Sequence, residues 1–359
     1  MDTILITGVG GPTPRSIAKS LRRKFPYMKI VGIDANPKAV GFFIPGLVDT
    51  YYVAPKCSFV KEYWQFIHRV IEKEKINYAI VQPEKEIIAW GTYYNETKEY
   101  PCPVFIPCKE LALTLMDKAL MADALAGTEF IPKTIKVSQN HPNYEKVDKE
   151  IGFPCWIRAT QGSGGLGSLK LKDLNSYKSW LFINSEIENF TVSEFLTGRH
   201  LANQMLYYKG ELIKAASLEC AEYVMAKVAP SKVTGNTSFG RFLNDDKLTD
   251  FCDACIKYIC AQLNVAAHGV LSFDLKEDSL GNYKVTEINI RHMAYTGIMS
   301  EVGFDLSADT IKILREGHVD GIKRERNFHF DKPYIFLRDV DVEPIILANE
   351  EIFYKTKDV

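Results

Sequence analysis

The chain has 359 residues and a mass of 40.7 kDa, more than one hydrophobic core usually organises. Hydrophobic residues make up 46% and charged residues 25%, as in soluble folded proteins. The formal net charge is −1, and Lys and Arg form no continuous block of the kind that nucleic-acid phosphates require. The sequence shows neither a signal-peptide pattern at its start nor an apolar run that could cross a bilayer. We therefore expect a cytoplasmic protein of two or three lobes that binds neither nucleic acid nor membranes.

The first segment alternates short apolar runs with helical patterns. Strands are predicted at ILIT (4–7), KIVGID (29–34) and YAIVQP (78–83), and helices around 17–25 and near 58–74. This alternation predicts a parallel sheet flanked by helices. The loop GVGGPTPR lacks the third glycine of a dinucleotide fingerprint, because Thr13 occupies that position, so a Rossmann-like scaffold explains it better than NAD binding does. Glu84 and Glu86 follow the third predicted strand, where a ligand contact or a solvated loop would fit.

The rest of the chain is predicted to contain a small glycine-rich lobe and a larger lobe. Short strands around PCWIRA and SLKLKD are followed by a long helix (248–263), a hairpin (270–290) and a helix near 306–316. Cys252 and Cys255 form a lone CxxC on the long helix, where the spacing of neighbouring apolar residues favours core packing over a zinc site. The tail segment YIFLRDVDVEPIIL alternates like edge strands, and we identify no functional side chain in it.

The hairpin GVLSFDLKEDSLGNYKVTEINIR is the most informative stretch. A four-residue turn over 279–282 predicts these facing pairs: Asp278 with Tyr283, Asp274 with Glu287, and Ser272 with Asn289. Glu287 and Asn289 then share a face, and Arg291 continues it. Two carboxylates and an amide oxygen on one face suit a hard cation such as magnesium. A solvent-facing polar surface would explain the carboxylates equally well.

The same hairpin resembles the ATP-grasp superfamily, specifically one ATP-grasp unit of the carbamoyl phosphate synthetase large subunit. In that family a late hairpin carries an acidic residue and then Glu-x-Asn, usually with Pro and Arg nearby. Asp274, Glu287, Asn289 and Arg291 match this pattern, and Ile290 stands where proline is common. The resemblance implies that the first three residues hold magnesium and that Arg291 steadies transferred or substrate charge.

A second matching segment is GFPCWIRATQGSGGLGS, in which Arg158 occupies the family's phosphate-contacting position. The resemblance implies a mobile flap containing Gly162, Ser163, Gly164, Gly165 and Gly167. Glycines let consecutive backbone N–H groups approach an anion without interference from Cβ atoms, and an adjacent guanidinium binds phosphate oxygens. A glycine-rich hairpin turn is the alternative for this segment alone, but its order and spacing relative to the hairpin favour the flap.

Two further segments match the family in the same order. MDKALMADAL resembles the Asp-Lys helix start and implies that Lys118 reaches the ATP phosphates, although a solvated helix residue also explains Lys118. TVSEFLTGRH resembles the strand and hinge that cup adenine, and it implies contacts from Glu194 and the backbone of Phe195 and Leu196. The family usually has a ribose-binding acid just after the hinge glycine, whereas this chain has His200, which we assign to nucleotide binding.

The resemblance also implies a mixed α/β and α+β architecture. The expected units are a Rossmann-like pre-ATP-grasp lobe (1–112), a two-lobed ATP-grasp domain (113–320, with a flap lobe at about 125–197 and a metal-binding lobe at about 198–320) and a tail packed on the core (321–359). The implied activity is an ADP-forming ligase that uses ATP and Mg²⁺ to join a small-molecule carboxylate to an amine, and a homodimer is compatible with it. The alternative is a nucleotide-binding regulator with little turnover, which His200 and Ile290 suggest.

Overall fold

The computed structural model describes residues 2–162 and 164–339, and the described residues form three β-sheets. The first sheet has the parallel order β3-β2-β1-β4. Its segment contains β1 (Thr3–Thr7), α1 (Pro12–Lys24), β2 (Lys29–Asp34), a 3-10 turn (Val40–Phe42), β3 (Thr50–Val53), α2 (Val60–Glu74), β4 (Tyr78–Ile80), α3 (Glu84–Thr97) and α4 (Lys109–Met116). The predicted parallel sheet is confirmed. The Asp34 carboxylate accepts a hydrogen bond from Gly10 N at 2.9 Å. Asp34 occupies the position where a dinucleotide fold has its ribose-binding acid, and here it binds the glycine loop of the chain itself.

The third strand predicted from the sequence, at 78–83, is longer than the observed strand. β4 ends at Ile80, and Pro83 caps the N-terminus of α3 with an extended backbone. Proline lacks an N–H group and is well tolerated at the start of a helix but not within a ladder. Glu84 and Glu86 consequently lie in the first turn of α3, where the helix dipole favours negative charge, and not in a solvated loop.

The second sheet is small and antiparallel, with the order β5-β8-β6-β7. The elements of this region are α5 (Lys118–Ala124), β5 (Thr134–Ser138), α6 (Tyr144–Glu150), β6 (Cys155–Ala159), β7 (Leu169–Leu171), α7 (Leu174–Ile183) and β8 (Asn189–Glu194). Side chains from α6 and α7, including Val147 and Tyr177, pack with Ile157 and Phe190 of the sheet in a separate core. The glycine-rich segment connects β6 to β7, as the sequence predicted.

The third sheet is the largest, and its six antiparallel strands have the order β13-β12-β9-β10-β11-β14. Its elements are β9 (His200–Tyr208), β10 (Glu211–Tyr223), β11 (Thr237–Leu243), α8 (Asp246–Leu263), β12 (Gly269–Glu277), β13 (Tyr283–Asn289), α9 (Thr296–Glu301), α10 (Leu306–Glu316) and β14 (Ile335–Leu337). One core cluster joins Leu5 of the first sheet to Phe273 of the large sheet. Cys252 and Cys255 lie fully buried in that cluster as free thiols, in agreement with the core-packing prediction.

The register of the β12–β13 hairpin is partly as predicted. Asp274 pairs with Glu287, and Ser272 pairs with Asn289, so the predicted pairing at the polar end is confirmed. The predicted turn is wrong, because Tyr283 faces Glu277 and not Asp278. The Asp278 carboxylate accepts hydrogen bonds from the backbone N–H groups of Leu280 and Asn282, which draws Asp278 into the turn. A bulge between the Leu275 and Asp274 pairs then restores the expected register.

The tail contributes an edge strand, β14, which pairs with β11. This agrees with the edge-strand prediction for its first residues, and the part of the tail over 340–359 lies outside the described residues. In residues 2–162 and 164–339, we find no helix with the length and apolar character that a membrane span requires.

A buried ion pair ties the large sheet to α10. Lys214 on β10 and Asp309 on α10 are each 5% exposed, and the distance from Nζ to Oδ2 is 2.6 Å. Lys312 also approaches Asp309, at 3.8 Å, but its side chain is 37% exposed. Removing one partner of a buried pair leaves the other charge without compensation, whereas an exposed pair contributes little.

We therefore expect Lys214→Met to lower the free energy of unfolding by about 3 to 5 kcal/mol. The matched variant Lys312→Met should lower it by less than about 1 kcal/mol. Urea unfolding followed by circular dichroism measures both values. Equal effects of the two substitutions would show that burial of the Lys214 pair does not determine its contribution.

A half-buried carboxyl group, that of Glu86, lies at the carboxyl end of the first sheet. Burial raises the pKa of Glu86 to about 7 from its ordinary 4.5, although hydrogen bonds from Tyr63 and Thr7 oppose the rise and the charge of Asp34 adds to it. The Tyr63 hydroxyl donates to Glu86 at 2.8 Å and accepts from Trp90 Nε1 at 3.0 Å. Between pH 4.5 and about 7, Glu86 is protonated in the folded protein and ionised in the unfolded chain.

This linkage makes Glu86 stabilising in its protonated form below pH 4.5, and the contribution is lost as the pH rises through about 7. The wild type should therefore lose stability relative to Glu86→Gln between about pH 5 and about pH 8. Urea unfolding at four pH values across that window measures the difference, with the exposed Glu62→Gln as the control. A constant difference between wild type and Glu86→Gln would contradict the raised pKa.

Candidate functional site

A crevice of about 1000 Å³ lies between the small sheet and the large sheet. This volume is at the upper end of the range for small-molecule and cofactor sites. The walls carry residues from every matched segment of the sequence: Lys118, Arg158, Gly162, Glu194, Asp274 and Glu287. The four segments identified in the sequence therefore meet in one place.

The floor of the crevice carries the acidic pair of the hairpin. Asp274 and Glu287 face each other across β12 and β13, and Asn289 Nδ2 donates to Asp274 Oδ2 at 3.0 Å. Burial and the neighbouring Glu287 charge raise the pKa of Asp274 to about 7. Two carboxylates held together inside the protein repel each other, and a divalent cation between them removes that cost.

The donor set fits magnesium. Asp274 and Glu287 supply carboxylate oxygens, and the Asn289 amide oxygen remains available because its nitrogen makes the bond to Asp274. Among the described residues there is no group of three or more His, Cys, Asp or Glu side chains placed to hold a metal. The magnesium ion would thus depend on these two carboxylates, one amide, water and the phosphates of a bound nucleotide.

Lys118 is the first residue of α5, and Asp117 caps that helix by accepting from Ala119 N at 2.8 Å. The side chain of Lys118 is buried, and its ammonium donates to Gly162 O at 3.1 Å and to Glu287 Oε1 at 3.2 Å. A solvated helix residue is thereby excluded for Lys118. Its charge lies between the glycine segment and the acidic pair.

Arg158 projects from β6 towards the same acidic pair. Its Nε atom is buried and has no hydrogen-bond partner in the described part of the chain. Burial lowers the pKa of Arg158, and the charges of Glu287 and Asp274 raise it. A buried guanidinium with an unsatisfied donor is ready to bind an anion such as a phosphate oxygen.

The glycine segment closes over these charges. Gly162, Gly164, Gly165 and Gly167 all have positive φ values, and Ser163 lies outside the described residues. A Cβ atom at Gly165 would lie 2.5 Å from Val233 O, so only glycine permits this close contact with the loop that joins β10 to β11. The flap therefore docks on a second loop, which the sequence did not predict.

The opposite wall contains the hinge segment between β8 and β9. Phe195 lies beside Trp156, with ring centroids 6.3 Å apart, and Lys170 Nζ lies 4.1 Å from the Phe195 centroid. Leu196 is buried, and Glu194 Oε2 accepts from Lys133 N at 2.9 Å. An apolar slot with polar backbone atoms at its edge suits a flat heteroaromatic ring.

His200 begins β9 on this wall, and its Nδ1 lies 2.7 Å from the Tyr223 hydroxyl. Burial, with a smaller effect from Lys276, lowers the pKa of His200 to about 4, so the ring is neutral near pH 7. A neutral imidazole lacks the charge of the acid that the family usually has here, but its other ring nitrogen still offers one hydrogen bond. Its assignment to nucleotide binding stays a prediction.

Arg291 lies just beyond β13, at the junction with the first sheet. Its Nη2 atom forms an ion pair with Glu84 Oε1 at 3.2 Å, and its charge lowers the pKa of Asp274. The first helix turn of α3 thus holds a guanidinium near the acidic pair. The predicted role of Arg291 in steadying transferred charge is compatible with this position.

Sequence reasoning missed several residues of the crevice: Lys170, Lys276, Tyr223, Tyr295 and Arg338. Lys276 lies two residues after Asp274 on the same strand, so strand alternation alone predicts that it shares the Asp274 face. The other four come from separate elements and carry no recognisable spacing. Arg338 belongs to the tail segment in which the sequence analysis identified no functional side chain, and it lines the crevice.

Comparison with known proteins agrees with this geometry. The family model described as "Carbamoyl-phosphate synthase L chain, ATP binding domain" matches residues 117–319. Among curated protein sequences, none matches the chain significantly.

Solved structures similar to this chain include the following three proteins. The biotin carboxylase domain of Hydrogenobacter thermophilus 2-oxoglutarate carboxylase, solved with MgADP and bicarbonate, has a TM-score of 0.65 and 13% identity, over 91% of this chain and 72% of that one. The N5-carboxyaminoimidazole synthetase of Staphylococcus aureus with ADP has a TM-score of 0.63 and 14% identity, over 94% and 80%. The L-amino acid ligase of Bacillus licheniformis has a TM-score of 0.63 and 11% identity, over 90% and 78%. At these identities the likeness shows the fold, which is that of the ATP-grasp proteins.

Proposed function

We propose that this chain, which belongs to the carbamoyl-phosphate synthase L chain ATP-binding domain family, is an ATP- and Mg²⁺-dependent ligase. It activates a carboxylate as an acyl phosphate, releases ADP, and joins the acyl group to an amine. The observation that carries the proposal is the convergence of Lys118, Arg158, Asp274 and Glu287 beneath the glycine flap. Cations for phosphates and oxygen donors for a divalent metal are the two groups that phosphoryl transfer requires.

The nucleotide would lie with its base beside Phe195 and its phosphates towards Arg158 and Lys118. Asp274, Glu287 and Asn289 would hold magnesium, which when bound would neutralise phosphate charge. Binding of the phosphates gives Arg158 Nε the acceptor that it lacks among the described residues. It also provides Lys118 with further acceptors besides Glu287 and Gly162.

The reaction proceeds in two displacements. An oxygen of the substrate carboxylate attacks the γ-phosphorus, the bond to the β-phosphate oxygen breaks, and ADP leaves. The amine nitrogen then attacks the acyl carbon, the bond to the phosphate oxygen breaks, and the nitrogen loses a proton as inorganic phosphate leaves. Arg291, near the acidic pair, stabilises negative charge on the transferring group.

The flap protects the acyl phosphate from water. Gly165 contacts the β10–β11 loop around Val233, so the two segments together cover the crevice. Water excluded at this step cannot hydrolyse the intermediate before the amine attacks. No side-chain nucleophile takes part in this scheme, and catalysis rests on positioning and charge neutralisation.

The metal assignment predicts that Asp274→Ala, Glu287→Ala and Asn289→Ala each abolish or cripple ADP release while the fold is kept. Each substitution removes an oxygen ligand from the floor of the crevice. The matched control is Asp278→Ala, which removes an exposed carboxylate from the turn of the same hairpin and should leave turnover unchanged.

The measurement is Mg²⁺-dependent ADP release during a screen of acids and amines, with mass analysis of the products and thermal melts of every variant. Near-normal turnover in all three ligand variants would contradict the metal site. Tight ATP binding without ADP release for any acid and amine would instead support the regulatory alternative.

The phosphate assignment predicts an order of activity for Arg158: wild type above Arg158→Lys, and Arg158→Lys above Arg158→Ala. Lysine keeps the charge but loses the planar fork, and alanine loses both. A charge-assisted contact contributes about 1.5 to 3 kcal/mol, so Arg158→Ala should lose about ten- to a hundred-fold in ATP affinity or rate.

Calorimetric titration with ATP and ADP-release assays measure these effects. Lys136→Ala is the control, because Lys136 lies on the same sheet but is exposed and pairs with Asp123 at 2.7 Å. ATP binding and turnover equal to wild type in Arg158→Ala would identify Arg158 as a structural residue.

A further inference from the structure

The crevice continues past the acidic pair towards the other edge of the large sheet. β13 forms one edge of this sheet with β12 next to it, β14 forms the other edge, and three strands lie between β12 and β14. Neighbouring strands are separated by about 4.8 Å, so a group on β14 approaches the crevice from well beyond the magnesium ligands. Arg338 and Tyr295 line this part of the crevice, together with Cys220 and Tyr223.

Tyr295 presents an unsatisfied hydroxyl. The residue is 3% exposed, and its Oη atom is buried without a hydrogen-bond partner in the described part of the chain. Burial, with a further effect from the Asp274 charge, raises the pKa of Tyr295 well above its ordinary value, so the hydroxyl keeps its proton and can donate it. A buried hydroxyl without a partner costs free energy unless a ligand supplies an acceptor.

Arg338 also lines this part of the crevice, and its guanidinium has no ion-pair partner among the described residues. Its backbone N donates to Ser238 O at 2.7 Å, and its Nη2 donates to Asn236 Oδ1 at 3.2 Å, which fixes the residue at the end of β14. Within residues 2–162 and 164–339, no carboxylate forms an ion pair with this half-buried guanidinium. Burial lowers the pKa of Arg338, interactions with Cys220 and Tyr295 oppose that effect, and the charge of Arg15 makes a smaller contribution in the same direction as burial.

Arg15 is a second half-buried guanidinium whose charge acts on Arg338. It lies in the first turns of α1, is half-buried, and its Nε donates to Gly11 O at 3.2 Å. Among described residues it also has no carboxylate partner, and burial lowers its pKa. A half-buried guanidinium that has no carboxylate partner among the described residues, like that of Arg338, is stabilised by an anion.

We infer that Arg338 and Tyr295 bind a second anionic group of the acid substrate, separate from the carboxylate that is phosphorylated. The identification of the ligand as the acid substrate rests on the proposed ligase function, whereas the anion site itself does not. The preferred substrate class is a dicarboxylic acid, or an acid that carries a phosphate or phosphonate at its far end. Both groups offer the oxygen acceptors that a guanidinium and a phenol recognise.

The test uses matched acids that differ in one terminal group. Succinate, glutarate and adipate are compared with butyrate, pentanoate and hexanoate, and 3-phosphonopropionate provides the phosphorus-containing arm. Calorimetric titrations are run with Mg²⁺ and a non-hydrolysable ATP analogue, so that binding is measured without turnover. The variants are Arg338→Gln, Arg338→Lys and Tyr295→Phe, with Arg324→Gln as the control because Arg324 is exposed and pairs with Glu211.

In the wild type we expect at least one dianionic acid to bind about ten- to a hundred-fold more tightly than its monocarboxylate match. Arg338→Gln should remove this preference, Arg338→Lys should restore part of it, and Arg324→Gln should keep it. Tyr295→Phe should weaken the dianion several-fold without affecting the monocarboxylate. Affinity for the ATP analogue should stay at the wild-type value in all four variants.

The assignment is overturned if no dianion is preferred, if the preference survives in Arg338→Gln, or if Arg338→Gln mainly weakens the nucleotide. Equal thermal melts of Arg338→Gln and Arg338→Lys exclude a folding defect. If preferred dianions bind through Arg338 but no acid and amine pair releases ADP, the anion site stands and the ligase proposal fails. Preference for 3-phosphonopropionate over every dicarboxylate would identify a phosphorus-containing acid within the same inference.

Discussion

The site depends on one buried cation, Lys118, which must be compensated from two directions. Its ammonium donates to the carbonyl of Gly162 in the flap and to the carboxylate of Glu287 in the large sheet. A lysine this deeply buried is costly unless it is paired, and the flap segment and the hairpin each supply an acceptor for its ammonium. Lys118 thereby connects the glycine segment to the hairpin that carries the acidic pair.

The charges in the crevice also explain why the protein tolerates an acidic pair in its interior. Asp274 and Glu287 repel each other, and Arg291, Lys118 and Arg158 each offset part of that repulsion. These cations do not return the pKa of Asp274 to its ordinary value, because burial and, second, the Glu287 charge keep it at about 7. A site left under electrostatic strain in this way gains affinity for a divalent cation at the same point.

Much of the fold and of the crevice could be predicted from the sequence, at those positions where the local residue pattern determines the structure. Alternation placed Asp274 opposite Glu287, and the parallel first sheet followed from its alternating strands and helices. The turn could not be placed, because it depends on which backbone groups the Asp278 carboxylate binds. Tyr295 and Arg338 could not be found either, since they reach the crevice from separate elements and no spacing connects them. The nucleotide and magnesium assignments came from resemblance to a family, and the geometry of the crevice is compatible with them.

The bulge in β13 makes the pairing of Asp274 with Glu287 independent of the conformation of the turn. Residues 275–277 pair in one register and residues 272–274 in another, so the shift between them fixes the position of Asp274 relative to Glu287. The turn is exposed at Leu280 and has open space around Gly281. Extra residues inserted there would lengthen a surface loop without moving the ligands, because loop tips accept insertions at little cost. The tip of this hairpin is therefore a place where a peptide tag or a fluorescent label could be attached to report on the site without entering it.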